Sequence, residues 1–198
     1  MDKIIIGSEE WCHLPQLGIP AVKVRVDSGA RTSALHAFNI KSFKRGGIPW
    51  VSFHVHPLQR SRAVSLHCEA PIVDRRMVKN TSGASEKRYV IKVPMRMGEN
   101  TWEIELTLTN RDSMGYRMLL GREAMANRIL VDPSMSMSLG RFSESELVDM
   151  YGMQRKAKTG LKIALLASNP ELYSNQRIME AGTERGHEMI FLGVKDCY

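Results

Sequence analysis

From residue 1 to about residue 140, apolar side chains recur at every second position in one short run after another, and turn signals separate the runs. The strand candidates are Lys3–Ile6, Ala21–Val26, Ala34–Phe43, Trp50–His56, Ala63–His67, Arg88–Met97 and Thr101–Thr109. Between them lie RGGIP, PLQRS, NTSGAS and GEN, all rich in turn formers. Successive side chains point to opposite faces of a strand, so a period of two marks strands with one face in a core. Strands this short and this close together predict a mainly β chain, a barrel or sandwich rather than βαβ units. Two hairpins are predicted, IKSFKRGGIPWVSFHVH turning at Gly46–Gly47 and VPMRMGENTWEIELTLT turning near Gly98–Asn100. One short helix is expected just after Gly121, through REAMANRI. The tryptophans Trp11, Trp50 and Trp102 are expected in the core.

The pattern then changes. Residues 143–160 open on a Ser143–Glu146 capping box, which predicts a short helix, and continue as a basic linker to Gly160. From Leu161, LKIALLAS is a nearly continuous apolar strand of the kind a parallel sheet buries on both faces. YSNQRIMEAGTERGHEM follows as a helix with Ser174 as N-cap and Gly186 at its stop, and MIFLGV is a second strand. The predicted segments are therefore 1–142, 143–160 and 161–198. A single βαβ unit leaves sheet edges and a helix face uncovered, so it needs a partner or more chain.

Charge and cysteine usage narrow the function classes. The net charge is +7, and from Arg75 to Arg96 seven Lys/Arg residues face one acid, Glu86. Such a balance suits an acidic partner and also serves solubility. RNA-recognition and helix-turn-helix signatures are missing, so an acidic peptide is expected rather than direct contact with nucleic acid. Cys12, Cys68 and Cys197 are widely spaced, which indicates neither a disulfide framework nor a cysteine zinc site. The apolar runs are too short to cross a membrane, and MDKIIIGSEEW is no secretory signal, so a cytoplasmic location is expected.

The strand VKVRV ends on Asp27, followed at once by Ser28, Gly29 and Ala30. A carboxylate there must be paired, metal-bound or partly protonated. One reading is an Asp that caps its own turn through backbone N–H groups. The other is catalytic. Small neighbours let backbone come close, Gly29 permits a positive φ, and Ser28 has a hydroxyl to donate. Two such acids face to face share a proton: the ionised one activates water and the protonated one polarises a peptide carbonyl. The chain has a single Asp-[Ser/Thr]-Gly, so a symmetric pair demands a homodimer with Asp27 near its two-fold axis.

VDSGA resembles the active-site signature of retropepsin-like aspartic peptidases, and YRMLLGREAM (Tyr116–Met125) resembles their second signature. The longer runs LGIPAVKVRVDSGARTSALHAF and ELTLTNRDSMGYRMLLGREAM resemble the RimB family, over about residues 3–140. Proteins of that family are often labelled ATP-dependent zinc proteases and are encoded beside the ribosomal-protein glutamate ligase RimK. The resemblance implies a closed β-barrel with Asp27 as catalytic carboxylate and Ser28, Gly29 and Ala30 as its loop. It implies Leu120, Gly121 and Arg122 as structural support, with Arg122 tying the short helix to that loop. KNTSGASEK (Lys79–Lys87) falls where the flap hairpin belongs. Arg31, Thr32, Arg76, Lys79 and Arg88 are the expected contacts for an acidic substrate. Viral relatives carry an acid shortly after Ala30 where this chain has Arg31, a cation that would lower the pKa of Asp27 or bind an acidic group. The tail from Leu161 resembles the N-terminus of RimK ligases, but no glycine-rich phosphate loop follows, so neither ligase activity nor ATP binding is expected.

The implied function is a homodimeric aspartic endopeptidase without a cofactor. Its substrate would be an acidic peptide or a glutamate-tailed ribosomal protein, with the RimK ligase as a further partner. Two alternatives stay open. His54 and His56 share one strand face, with His36, His67 and Cys68 near in sequence, which are ligand types for zinc, although HExxH is missing. A non-catalytic module gripping an acidic ribosomal tail would also use the basic run. Cys12 and His13 are adjacent on a strand and point apart, which argues against a catalytic pair.

Overall fold

A computed structural model of the protein describes residues 3–79, 83, 85–111, 115–153 and 161–194. The chain divides into two compact units, Met1–Met153 and Gln154–Tyr198. The first runs through β1 (Ile4–Ile6), β2 (Glu9–Leu14), β3 (Ile19–Asp27), β4 (Ser33–His36), β5 (Phe38–Arg45), β6 (Ile48–Val55) and β7 (Leu66–Pro71). It continues through β8 (Asp74–Lys79), β9 (Ser85–Met97), β10 (Asn100–Thr109), β11 (Met118–Gly121), α1 (Arg122–Met125), β12 (Ile129–Val131) and α2 (Glu144–Met150).

Pairing runs β10–β4–β11–β3–β2–β9, and β9 pairs back onto β10, so six strands close a ring. β8 extends the ring as the outer neighbour of β9. β5, β6 and β7 form a separate antiparallel sheet, and β1 pairs with β12 in parallel. Closure leaves few unpaired edges, which is how strands this short stay ordered. The inward residues Val22, Val24, Leu35, Ile91, Leu106, Met118 and Leu120 are fully buried, and Val51, Phe53 and Val55 of β6 join the same core. The chain is mainly β, as its alternation predicts.

The differences from the sequence reading have local causes. The expected strand Ala34–Phe43 is two strands in two sheets. β4 is buried along its whole length between β10 and β11, whereas β5 leaves the ring through Asn39, at φ +52°, beside a register shift. β2 escaped notice because its inward face begins with Glu10. That fully buried carboxylate accepts hydrogen bonds from the N–H groups of Gly7, Ser138 and Leu139 at 2.9, 2.7 and 3.2 Å. The strand expected at Ala63 starts at Leu66, and the helix after Gly121 ends at Met125, shortly before Asn127 at φ +63°. Trp102 is buried, with Nε1 donating to the Ala124 carbonyl at 2.9 Å. Trp11 and Trp50 are only half-buried: Trp11 sits edge-on to Phe142, and the Arg45 guanidinium lies 4.4 Å over the Trp50 ring.

α2 opens on the Ser143–Glu146 capping box. It belongs to the first unit rather than to a linker, because Tyr151 Oη donates to the Ala21 carbonyl and accepts from the Ala21 N–H at 3.3 Å. Residues 154–160, the rest of the expected linker, lie outside the described residues, as does Cys197. Cys12 and Cys68 are buried free thiols, pushed up by burial to about 12 and about 11.

The second unit is β13 (Lys162–Ala167), α3 (Tyr173–Glu184) and β14 (Glu188–Gly193), with the strands parallel from Lys162↔Glu188 to Ala167↔Gly193. The helix begins one residue before Ser174, so Ser174 is not its cap; position Leu172 makes no side-chain cap bond. Asn169 organises the entry instead, its Oδ1 accepting from Glu171 N–H at 2.9 Å. Gly186, at φ +77°, follows the helix and donates to the Thr183 carbonyl at 2.8 Å. No helix among the described residues is long and apolar enough to cross a membrane.

Candidate active site

β3 and β11 run in parallel, with Val24 beside Met118 and Asp27 beside Gly121. Asp27 therefore ends a core strand and stands half-buried at its rim. Its Oδ1 accepts the backbone N–H groups of Gly29 and Ala30 at 3.0 and 3.1 Å. Among the described residues no hydrogen bond reaches Oδ2. The two readings of this carboxylate thus divide between its oxygens: one caps the turn and the other is free for chemistry. Gly29 does not take up a positive φ. Its smallness matters because a Cβ there would lie 3.2 Å from Asp27 Oδ1. Ser28 is exposed, with no hydrogen-bond partner among the described residues.

The loop is held from behind by β11 and α1. A Cβ on Gly121 would lie 2.7 Å from the Thr32 carbonyl carbon and 2.9 Å from both the Arg31 oxygen and the Ser33 nitrogen. Backbone packs there so closely that only glycine fits. Gly121 N–H donates to Ser33 Oγ at 3.0 Å, while Leu120 is fully buried beneath. Arg122 binds the loop twice, from its N–H to the Ala30 carbonyl and from Nη1 to the Gly29 carbonyl, both at 2.9 Å.

Asp27 lines a cavity of about 740 Å³, together with Gly29, Ala30, Arg31, Thr32, Arg76, Lys79 and Arg88. The structure thus gathers the acid, most of its loop and all five expected substrate contacts around one space. It also shows that several of those cations are already engaged. Arg31 Nε pairs with Glu123 at 2.7 Å, turned toward α1 rather than toward Asp27. This holds the Glu123 carboxyl below its usual range, first through the Arg31 hydrogen bond. Thr32 Oγ1 donates to the same carboxylate at 3.2 Å. Arg76 pairs with Asp74 and Glu105, both at 2.6 Å, and Arg88 Nε pairs with Glu86 at 2.7 Å. Lys79 ends β8, where the β8–β9 hairpin pairs out to Lys79↔Ser85. The tip of the expected flap, residues 80–82 and 84, lies outside the described residues.

One lining residue was missed in the sequence. Arg111 follows β10, is 8% exposed and borders the cavity. It sits in TNRDSMGYR, which reads as an ordinary polar loop; only ring closure brings it to Asp27, so no local signal announces it.

His54 and His56 stand elsewhere, on β6. Their rings lie 5.5 and 4.5 Å from the Phe38 ring, and His54 is 5.1 Å from His67. His56 Nδ1 is 2.8 Å from the Val64 carbonyl and is spent on it. Among the described residues no group of three or more His, Cys, Asp or Glu side chains could hold a metal ion.

Comparison with known proteins gives two family matches. Residues 5–141 match the RimB-like family, described as the retropepsin-like aspartic endopeptidase RimB. Residues 161–198 match the RimK PreATP-grasp domain. A protein of Shewanella pealeana named "Probable alpha-L-glutamate ligase" is 63% identical over 197 residues, which is 100% of this chain and 43% of that protein. One of the same name from Parasynechococcus marenigrum is 61% identical over 99% of this chain and 42% of its own length. A Pseudomonas fluorescens protein with that name is 55% identical over only 38 residues, 19% of this chain and 13% of that protein. The chain therefore spans less than half the length of the curated relatives it matches. A crystal structure of a Legionella pneumophila protein of unknown function superposes with a TM-score of 0.60 at 27% identity, covering 70% of this chain and 99% of that one.

Proposed function

This chain belongs to the RimB-like family of retropepsin-like aspartic endopeptidases, with a RimK PreATP-grasp segment at residues 161–198, and from that premise we propose that it hydrolyses peptide bonds in acidic peptides as a homodimer. Asp27 of each copy is the catalytic carboxylate. The observation that carries the reading is the division of labour on Asp27. Oδ1 is fixed by two backbone donors, Oδ2 accepts no hydrogen bond among the described residues, and no other described carboxylate lines the cavity.

One acid per cavity leaves the chemistry half complete, and a second copy supplies the other half. The ionised Asp27 takes a proton from water as the water oxygen bonds to the scissile carbonyl carbon. The partner carboxyl gives its proton to the carbonyl oxygen. Asp27 then gives its proton to the nitrogen as the C–N bond breaks, a hydroxyl of the tetrahedral diol returns a proton to the partner carboxylate, and the pair again shares one proton. The loop contributes position: Gly29, Ala30 and Arg122 keep the carboxylate aimed so that no reorganisation accompanies the step.

The ligase name belongs to relatives more than twice as long as this chain, and its chemistry bears on the substrate. A ligase that adds glutamate makes the kind of bond an acid-selective peptidase cuts. A glutamate-tailed ribosomal protein, in the cytoplasm and in company with a RimK ligase, is the substrate we propose.

The test is Asp27→Asn, which keeps shape and removes the shared proton. Cleavage of glutamate-rich peptides should fall at least about 10³-fold while the thermal melt is retained. Cleavage that survives the change, or a chain that sediments as a strict monomer while cutting peptide, defeats the aspartic mechanism.

A further inference from the structure

The cavity cations are not equivalent. Arg31 has Glu123, and Arg76 has both Asp74 and Glu105. Arg111 has no carboxylate partner among the described residues. Its backbone N–H donates to His36 Nδ1 at 3.0 Å, and its Nε donates to the Tyr116 carbonyl at 3.4 Å, at the edge of hydrogen-bond range. Among the described residues neither Nη makes a hydrogen bond, and the side chain borders the cavity. Burial, and after it the neighbouring Arg88 charge, pushes the Arg111 guanidinium below its ordinary value, while Asp27 opposes them. Arg88 is itself close to buried, with a side chain 11% exposed, and spends only Nε on Glu86.

A nearly buried guanidinium with no carboxylate of its own is costly unless an anion lies against it, and the Arg88 charge adds to that cost. Asp27 is the acid among the described residues whose charge acts on Arg111, but the mechanism needs its free oxygen. The planar, multi-donor face of arginine suits a carboxylate better than any neutral group. We infer that Arg111, with Arg88 beside it, forms a carboxylate subsite in the Asp27 cavity and is the residue that sets the preference for acidic peptides. Arg31 and Arg76 are secondary because each already holds an internal carboxylate, and Arg88, which has Glu86, contributes its charge rather than a vacant fork. The inference rests on the peptidase reading for its context, but the subsite makes a separate claim about binding.

A carboxylate reaches the subsite from a glutamate side chain or from a peptide C-terminus, and three peptides separate these sources. The reference is a glutamine-rich peptide with an amidated C-terminus. The second replaces glutamine by glutamate under the same amide. The third keeps glutamine and frees the C-terminal carboxylate. With the full chain, kcat/KM for one of the two acidic peptides should exceed the reference by about 10- to 100-fold, the worth of one charge-assisted pair. Arg111→Gln should collapse that ratio toward one, Arg111→Lys should keep part of it, and Arg31→Gln should move it least. The preferred peptide identifies the source.

If wild-type protein handles all three peptides alike, the subsite is overturned whichever variants fold. It is also overturned if the ratio survives Arg111→Gln in protein with a normal melt. If nothing is cleaved, the same peptides carrying a fluorophore are titrated by anisotropy. A preference in Kd that Arg111→Gln erases keeps the subsite and removes the peptidase reading. Cleavage without preference does the reverse.

Discussion

The two units of this chain are built from the same materials and reach opposite ends of the burial scale. In the first, a ring of six strands encloses side chains such as Phe53, Leu35 and Ile91 at 0% exposure. In the second, β13 and β14 alternate only between exposed and half-buried, and Leu166 is 58% exposed. Both contain parallel strand pairs and apolar runs. What differs is closure: the ring gives every inward face an opposite wall, whereas one β–α–β crossover covers a single face of a two-stranded sheet. Apolar sequence specifies a strand, but a second layer is what turns the strand into stability.

Dividing the chain tests this contrast most severely. Residues 1–153 alone should unfold cooperatively by circular dichroism and calorimetry, and residues 161–198 alone should show no cooperative transition. A cooperative melt of the short piece would erase the distinction. Matched truncations come next. Phe53→Ala should cost about 3–5 kcal/mol in urea denaturation, and Leu166→Ala less than about 0.5 kcal/mol. Similar costs would mean that the second unit hides a core. Gly121→Ala should cost about 1–3 kcal/mol, because the added methyl enters backbone at 2.7 Å with no flexible side chain to yield. It should also lower peptide cleavage by displacing the Asp27 loop. Ser143→Ala should cost about 1 kcal/mol through its cap, and a zero cost would separate α2 from the ring.

The smallest expected effect is electrostatic and lies on the rim of the first unit. The folded-state pKa of Glu123 is lowered, first by the Arg31 hydrogen bond. Its contribution is therefore full above the unfolded value, near about 4.3, and fades as pH falls through the lower folded value. Urea midpoints of wild type and Glu123→Gln should differ slightly at about pH 6 and converge on acidification. A gap that widens at low pH would reverse the assigned sign.

How much of this was legible in the sequence depended on whether the signal was local. Val22, Val24 and Val26 declare β3 by alternation, and Asp27 with its small neighbours declares a special turn. The turn glycines mark hairpins at Gly46–Gly47 and Gly98–Asn100 that the strands obey. Glu10 hid β2, since a carboxylate on the inward face looks like an error until the distant N–H groups of Ser138 and Leu139 arrive to satisfy it. β8 hid among its charges, because an edge strand need not bury both faces. Arg111 could not be found at all without the ring. Distance also hid part of the charge pairing: Arg31 looks available in sequence because Glu123 is far along the chain, and Arg76 has the remote Glu105 as well as its neighbour Asp74.

The order in which the ring closes also sets a timetable for the site. Gly29 and its anchor Arg122 are 93 residues apart in sequence. At ordinary synthesis rates the Asp27 loop waits about 5 to 20 seconds for the segment that fixes it. Parallel pairing of β4 with β10, and after it of β3 with β11, also waits for strands late in the chain, and such long-range closure is slow in any case. A nascent chain thus carries the acid and its loop long before they are aligned.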